Sequence, residues 1–238
     1  MAKTVTPTRQ KTEPRQKTAS TRKSRSQQQT AATKAATPAE QLTQQLRELR
    51  LPSFRDHFQT AAVRATTEKM SHLEYLSELT TLECEARQAS RIQRLLTRSK
   101  LPLDKTWDAF HFDRLPLTVK RQLETLRDGT FLDRRENILM FGKPGSGKSH
   151  ALCALAEQLI QRGRSMLFTT CSLLVQQLLI AKRDLRLPRM IKQLSKFEGL
   201  IIDDLGYVQQ DRHEMEVLFT LLAERYERGS VLLTSNLA

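Results

Sequence analysis

Gly142-Lys143-Pro144-Gly145-Ser146-Gly147-Lys148-Ser149 is the stretch that decides the fold. It fits G-x-x-x-x-G-K-[ST], the pattern of a phosphate-binding loop. Asn137-Ile138-Leu139-Met140-Phe141 precedes it and reads as a short buried strand. The run from His150 to Ile160 follows, apolar at helical spacing, with Gly163 as its expected stop. Strand, glycine loop and helix N-terminus together form an anion site, because backbone N–H groups surround the ligand and the helix dipole favours negative charge. The loop from Gly142 to Ser149, with His150 behind it, is the expected nucleotide cradle. Lys148 is placed to bridge the β- and γ-phosphates, and Ser149 to ligate Mg²⁺.

Downstream the text alternates. Strands are predicted at 137–141, 165–169, 199–203 and 230–235, and helices at 148–162, 172–183, 188–197 and 212–228. Asp211 and Glu214 open the last helix and Gly229 closes it. Alternation of this kind predicts an α/β class, a parallel sheet with helices on both faces.

Two further strand ends carry chemistry. Gly199-Leu200-Ile201-Ile202-Asp203-Asp204 is an apolar run ending in two carboxylates. Opposite a phosphate loop, Asp203 is placed to hold Mg²⁺ and Asp204 to polarise an attacking water. A turn is the alternative reading of tandem acids followed by Gly206, but the phosphate loop upstream favours the catalytic one. Val231-Leu232-Leu233-Thr234-Ser235-Asn236 is a third such run. If its strand lies between the other two, Asn236 faces the γ-phosphate. No guanine-specific N-K-x-D occurs, so ATP is preferred over GTP.

Upstream the character changes. Residues 1–39 hold nine Lys or Arg and one acid, Glu13, which gives this stretch +8 of the chain's +13. Such a composition predicts a disordered basic tail. It reads either as an electrostatic arm for DNA or as a solubilising tail. From Pro38 to Ser99 the pattern is helical, with Leu42, Leu46 and Leu49 on one face and Phe54, Phe58 and Ala62 on another helix. Ser71 and Glu74 form a capping-box pattern that opens a long helix with Leu73, Leu76, Leu79 and Leu82 apolar. Arg87, Arg91, Arg94 and Arg98 fall on one face of it, with Glu83 placed to pair with Arg87. This stripe reads equally as a track for DNA phosphates or as a solvated face. Residues 100–136 connect the halves. Trp107, Phe110 and Phe112 are expected to pack on the next domain, and Thr118 to cap a short helix that Gly129 stops.

Cys84, Cys153 and Cys171 show no C-x-x-C pairing and read as small apolar fillers in a reducing compartment. No apolar run approaches the roughly 18 residues of a membrane span, and no secretory signal opens the chain. A cytoplasmic setting and no membrane partner are expected.

The stretches Gly142–Ser149, Leu167-Phe168-Thr169-Thr170, Leu200-Ile201-Ile202-Asp203-Asp204-Leu205-Gly206-Tyr207, Arg225-Tyr226-Glu227-Arg228-Gly229-Ser230 and Thr234-Ser235-Asn236 together resemble the IstB family. So do Leu46–Pro52 and Arg134–Leu139. These are ATP-binding transposition helpers of bacterial insertion sequences, relatives of the DnaC helicase loaders in the AAA+ class. The resemblance covers about residues 40–238. It implies an AAA+ core over 118–238 behind a helical domain and connector over 40–117. It further implies a Walker A at Gly142–Ser149, a Walker B ending at Asp203 and Asp204, and sensor 1 at Asn236.

The resemblance also implies ATP-driven homo-oligomeric assembly on duplex DNA and a transposase partner. A basic stretch, Lys182, Arg183, Arg186, Arg189 and Lys192, is implied as a DNA contact, with a solvated helix face as the alternative. Members hydrolyse ATP to ADP and phosphate. The family pattern continues past sensor 1 with a fifth strand, an arginine finger and a sensor 2 arginine. Those have no counterpart in this sequence, which predicts a core truncated after sensor 1 and impaired hydrolysis. Two rival readings remain: a DnaC-like loader acting on single-stranded DNA, and a non-hydrolysing DNA-binding or interaction module.

Overall fold

The computed structural model describes residues 37–102, 104–207 and 211–236. The basic tail of the sequence therefore lies outside the described residues, apart from its last three positions. The chain divides after Gln44 into two units, 1–44 and 45–238. In the first, Thr37 and Glu40 exchange side chain-to-backbone bonds, closing a capping box at the start of helix α1 (Pro38–Glu48).

The second unit carries helices α2 (Pro52–Thr67) and α3 (His72–Ser99). Leu46, Phe58, Ala61 and Leu79 bury themselves together there. The Ser71–Glu74 capping box is present in both directions. Glu83 is buried; it accepts from Arg87 Nε at 2.7 Å and from the Ser53 N–H at 2.9 Å, so it also caps α2. Leu73 and Leu76, expected on the packed face, are exposed.

The four strands β1 (Ile138–Phe141), β2 (Met166–Thr170), β3 (Gly199–Asp203) and β4 (Ser230–Ser235) form one parallel sheet in the order β1-β4-β3-β2. Each lies within one residue of its predicted range. Leu200 and Ile202 face a core made with α7 (Cys171–Arg183), α8 (Leu187–Leu194) and α9 (Arg212–Arg225). Ile201 and Leu232 face the other way, onto α6 (Lys148–Gln161). Residues Ala151 to Ala156 of α6 are 0–3% exposed, because the sheet covers one side and α3 the other, through Ile92, Leu95 and Leu96. At about 1.5 Å per residue α3 is roughly 42 Å long, enough to reach from its packing against α2 to this core.

Three local readings are corrected. Helix α4 (Leu117–Leu126) begins after Pro116, so Thr118 lies inside it and caps nothing. Gly129 instead starts the short helix α5 (Thr130–Asp133). Asp211 stands at the N-cap of α9 without a side-chain capping bond. Of the cysteines, Cys153 and Cys171 are buried, and burial pushes their thiols up to about 12 and about 11; Cys84 is exposed. No described helix is long and apolar enough to cross a membrane.

Arg225 is 1% exposed, and its guanidinium donates to the carbonyls of Leu194, Phe197, Glu198 and Ser230. A buried cation needs such bonds to offset desolvation, and burial still pushes it down to about 10. The guanidinium also explains Gly229, where a Cβ would stand 2.6 Å from Arg225 Nη2. This cluster ties the entry of β4 to the entry of β3 and so fixes the register at which their other ends meet the phosphate loop.

Candidate nucleotide site

In an open parallel sheet, ligands bind beyond the carboxyl ends of the strands. Here the carboxyl ends of β1, β4 and β3 lie side by side and deliver Gly142, Asn236 and Asp203 in turn. Because β4 lies between β1 and β3, Asn236 stands between the phosphate loop and the tandem acids.

The loop is built by its backbone. Gly147 has φ +87° at the N-cap of α6, and a Cβ there would stand 3.3 Å from the Phe110 ring. Both facts call for glycine. Lys143, Pro144, Gly145 and Ser146 form the exposed tip. The Lys148 ammonium donates to the carbonyls of Gly142 (2.7 Å) and Lys143 (3.0 Å) and to Asn236 Oδ1 (2.8 Å).

Ser149 Oγ donates to Asp203 Oδ1 at 2.6 Å, and Thr234 Oγ1 donates to the same oxygen at 2.5 Å. The Thr234 hydroxyl also accepts from the Asp204 N–H at 2.9 Å. Asn236 Nδ2 donates to Asp204 Oδ1 at 3.4 Å. Asp204 takes φ +60°, a turn a short polar residue tolerates. All five residues named for chemistry, Lys148, Ser149, Asp203, Asp204 and Asn236, thus join one bonded network. Thr234, fully buried, holds the two acids together; nothing in its letter distinguishes it from any other strand threonine.

His150 turns toward the connector: its Nε2 lies 3.1 Å from Thr106 O and its ring 5.0 Å from that of Phe110. The connector aromatics pack as expected, with Trp107 and Phe112 4.5 Å apart and Arg127 over Trp107 at 4.4 Å. Two cavities flank the loop. One, about 340 Å³, is lined by Gly145, Lys148, Ser149, Asp204, Asn236 and also Lys105. The other, about 390 Å³, lies between the loop, β1 and the apolar residues Leu115, Pro116, Val119 and Leu123.

Mg²⁺ takes hard oxygen ligands in octahedral geometry and keeps several from water and phosphate. Ser149 Oγ and Asp203 Oδ1 are a fitting donor pair. No group of three or more His, Cys, Asp or Glu able to hold a metal occurs among the described residues. The donor set therefore suits a cation that arrives with phosphate oxygens.

The two basic stretches differ. Arg87 is held by Glu83 and Arg50 O, Arg91 reaches Gly163 O, Arg94 bonds Ser90 O, and Arg98 lies over the Phe197 ring at 5.4 Å. Lys182 pairs with Glu216 and Arg183 with Asp184. Arg186, Arg189 and Lys192 are exposed and form no ion pair among the described residues. The α7–α8 stretch packs on one face of the sheet and α3 on the other.

A parallel sheet in this order, with a phosphate loop, a strand-end acid pair and a strand-end Asn on the intervening strand, is the P-loop fold of the AAA+ class. Solved structures of that class share the fold. The DnaC helicase loader matches with a TM-score of 0.51 at 16% identity, over 57% of this chain and 79% of that one. Replication initiator DnaA bound to AMPPCP and single-stranded DNA matches at 0.50 and 15%, over 58% of this chain and 43% of that one. The chain belongs to the family of IstB-like ATP binding proteins, whose model matches residues 44–238. An insertion sequence ATP-binding protein of Sinorhizobium fredii is 41% identical over 192 residues, 80% of this chain. One from Geobacillus stearothermophilus is 37% identical over 188 residues, 79% of this chain. The chain spans 64% of the length of the first relative and 75% of the second.

Proposed function

We propose that this protein binds and hydrolyses ATP to control its assembly on duplex DNA, as the helper of a transposase from the same insertion element. The observation that carries the reading is the bonded network of Lys148, Asn236, Asp204, Asp203 and Ser149 at three adjacent strand ends. In this reading the loop amides and Lys148 bind the β- and γ-phosphates, with His150 behind them. The apolar cavity at Leu115, Val119 and Leu123 takes the base. Ser149 and Asp203 hold Mg²⁺, which would neutralise charge on the phosphate oxygens. Asp204 accepts a proton from the attacking water while Asn236 orients it. Residues 118–238 act as the ATPase core and 40–117 as the helical domain and connector. Arg183, Arg186, Arg189 and Lys192, with the exposed arginines of α3, meet DNA phosphates. Residues 1–39 add an electrostatic arm.

The test is DNA binding by fluorescence anisotropy at one fixed salt, with ATP, with ADP and without nucleotide. Tighter duplex binding with ATP is expected. An ATP-dependent preference for single strands would point instead to a DnaC-like loader. Indifference to nucleotide would mean that the basic arm dominates binding and the ATP switch is broken, and a turnover assay on the purified protein would then identify a non-hydrolysing module. Deleting residues 1–39 should flatten the salt dependence of DNA binding, since each neutralised phosphate contributes a slope of about 0.9 on duplex DNA.

A further inference from the structure

Lys105 belongs to none of the motifs above, yet it borders the same cavity as Gly145, Lys148, Ser149, Asp204 and Asn236. Its position follows from how the connector is fastened. Thr106 O lies 3.1 Å from His150 Nε2, and the Trp107 N–H donates to Glu157 Oε2 at 3.0 Å. Phe110 lies against Gly147. All three anchors are on α6 or its N-cap, so the connector runs along the helix that begins at the phosphate loop.

The Lys105 ammonium lies 6.0 Å from the Phe168 ring centroid, and the residue also lines a second cavity with Cys153 and Glu157. The residue is half-buried and forms no ion pair among the described residues. A partly desolvated ammonium without a paired carboxylate favours an anionic neighbour. Of the two cavities it lines, the one that also holds the phosphate loop is at the β3 and β4 ends; it does not line the apolar one at Leu115 and Val119. The anion that belongs there is therefore the terminal phosphate, on the side away from the base.

We propose that Lys105 is a second phosphate-binding cation, supplied by the connector of the same chain, that contacts the γ-phosphate and so distinguishes ATP from ADP. The inference rests on the nucleotide reading above. It assigns two lysines to two tasks: Lys148 bridges the β- and γ-phosphates and so keeps a partner in ADP, whereas Lys105 answers only to the phosphate that hydrolysis removes.

The test is calorimetric titration of the full chain with Mg²⁺ and either the β,γ-imido analogue of ATP or ADP. Lys105→Met should weaken the analogue about tenfold, as expected for one charge-assisted bond, and ADP less than about twofold. Lys105→Arg should restore the analogue. An equal loss for both ligands, or no loss for either, would overturn the assignment. Thermal melting of each variant without nucleotide separates these outcomes from misfolding, and the Lys105→Arg comparison stands even if the methionine variant is unstable. Lys148→Met serves as the parallel control. If it binds both ligands as wild type does, the nucleotide reading itself fails, whatever Lys105 does.

Discussion

Replacing Thr234 by valine isolates the bond that holds the two acids together. The side chain is fully buried, and valine matches its shape. The change removes a 2.5 Å bond to Asp203 Oδ1 and leaves the Asp204 N–H, 2.9 Å away, without its acceptor. A hydrogen bond to a charged group contributes about 1.5–3 kcal/mol, and a buried donor left unpaired costs about 1–3 kcal/mol. The added methyl group returns about 0.8 kcal/mol. The net loss expected is about 2–5 kcal/mol. Urea unfolding without nucleotide measures it, read from the fluorescence of Trp107, the chain's one tryptophan. Thr234→Ser keeps the hydroxyl and should lose less than half as much. A valine variant within about 1 kcal/mol of both wild type and the serine variant would refute the reasoning. A second signature separates this role from plain packing. Asp203 loses one of its two hydroxyl donors, so the Mg²⁺-dependent part of nucleotide affinity should fall in the valine variant and survive in the serine one.

Lys148→Ala should abolish nucleotide binding; unchanged ATP affinity in a titration would remove the phosphate loop from the mechanism. Asp204→Asn should keep ATP binding and block turnover, and phosphate release equal to wild type would remove Asp204. Burial works to raise the Glu83 carboxyl, but bonds from Arg87 and the Ser53 N–H outweigh it and hold the pKa below the ordinary 4.5. A depressed carboxylate adds stability above its unfolded pKa and loses it as pH falls through the folded one. Glu83→Gln should therefore lower the melting temperature at pH 7, with the gap to wild type closing below about pH 4; a gap constant with pH would show the charge is idle. Replacing Arg186, Arg189 and Lys192 by alanine should lower the salt slope of duplex binding by about 0.9 for each phosphate no longer neutralised, with stability unchanged; an unaltered slope would clear the α7–α8 turn of a role in DNA binding.

The sheet and the nucleotide site were legible because each rests on consecutive letters. Gly199–Ile202 is an unbroken apolar run, as a strand buried on both faces must be; Ile138–Phe141 is equally apolar, but at the end of the sheet order it leaves Leu139 and Phe141 exposed, against its reading as a buried strand. The chemistry follows directly at their ends, where chain direction alone decides what faces the ligand. Helical faces were less legible. Leu73, Leu76 and Leu79 look like one stripe, but six residues turn a helix through about 600°, which leaves Leu73 roughly 120° from Leu79 around the axis. Only Leu79 is buried. Thr118 failed as a cap for a nearer reason: Pro116 takes φ −54° and ψ 142°, and the helix starts directly after it.

Charge was the hardest property to place, because a cation's task depends on what the fold brings beside it. Arg225 lies in a run with Glu224, Glu227 and Arg228 that reads as surface, yet four carbonyls from three segments converge on it. No single-chain periodicity encodes that meeting. Arg87, Arg91, Arg94 and Arg98 share a helical face, as the spacing predicts. Their local partners differ: a carboxylate, a helix-end carbonyl, a carbonyl of their own helix, and an aromatic ring. An arginine already satisfied must give up those bonds to meet a phosphate, so an even spacing of charges does not imply even availability for DNA. Lys105 is the reverse case. In the sequence it is one lysine in a connector; in the fold, a carbonyl at Thr106, an N–H at Trp107 and a ring at Phe110 bind its neighbours to α6 and carry it to the cavity edge. A motif search finds Lys148 because the phosphate loop is local. Lys105 depends on a return path of more than 40 residues, from the connector to the loop, and only the folded chain displays it.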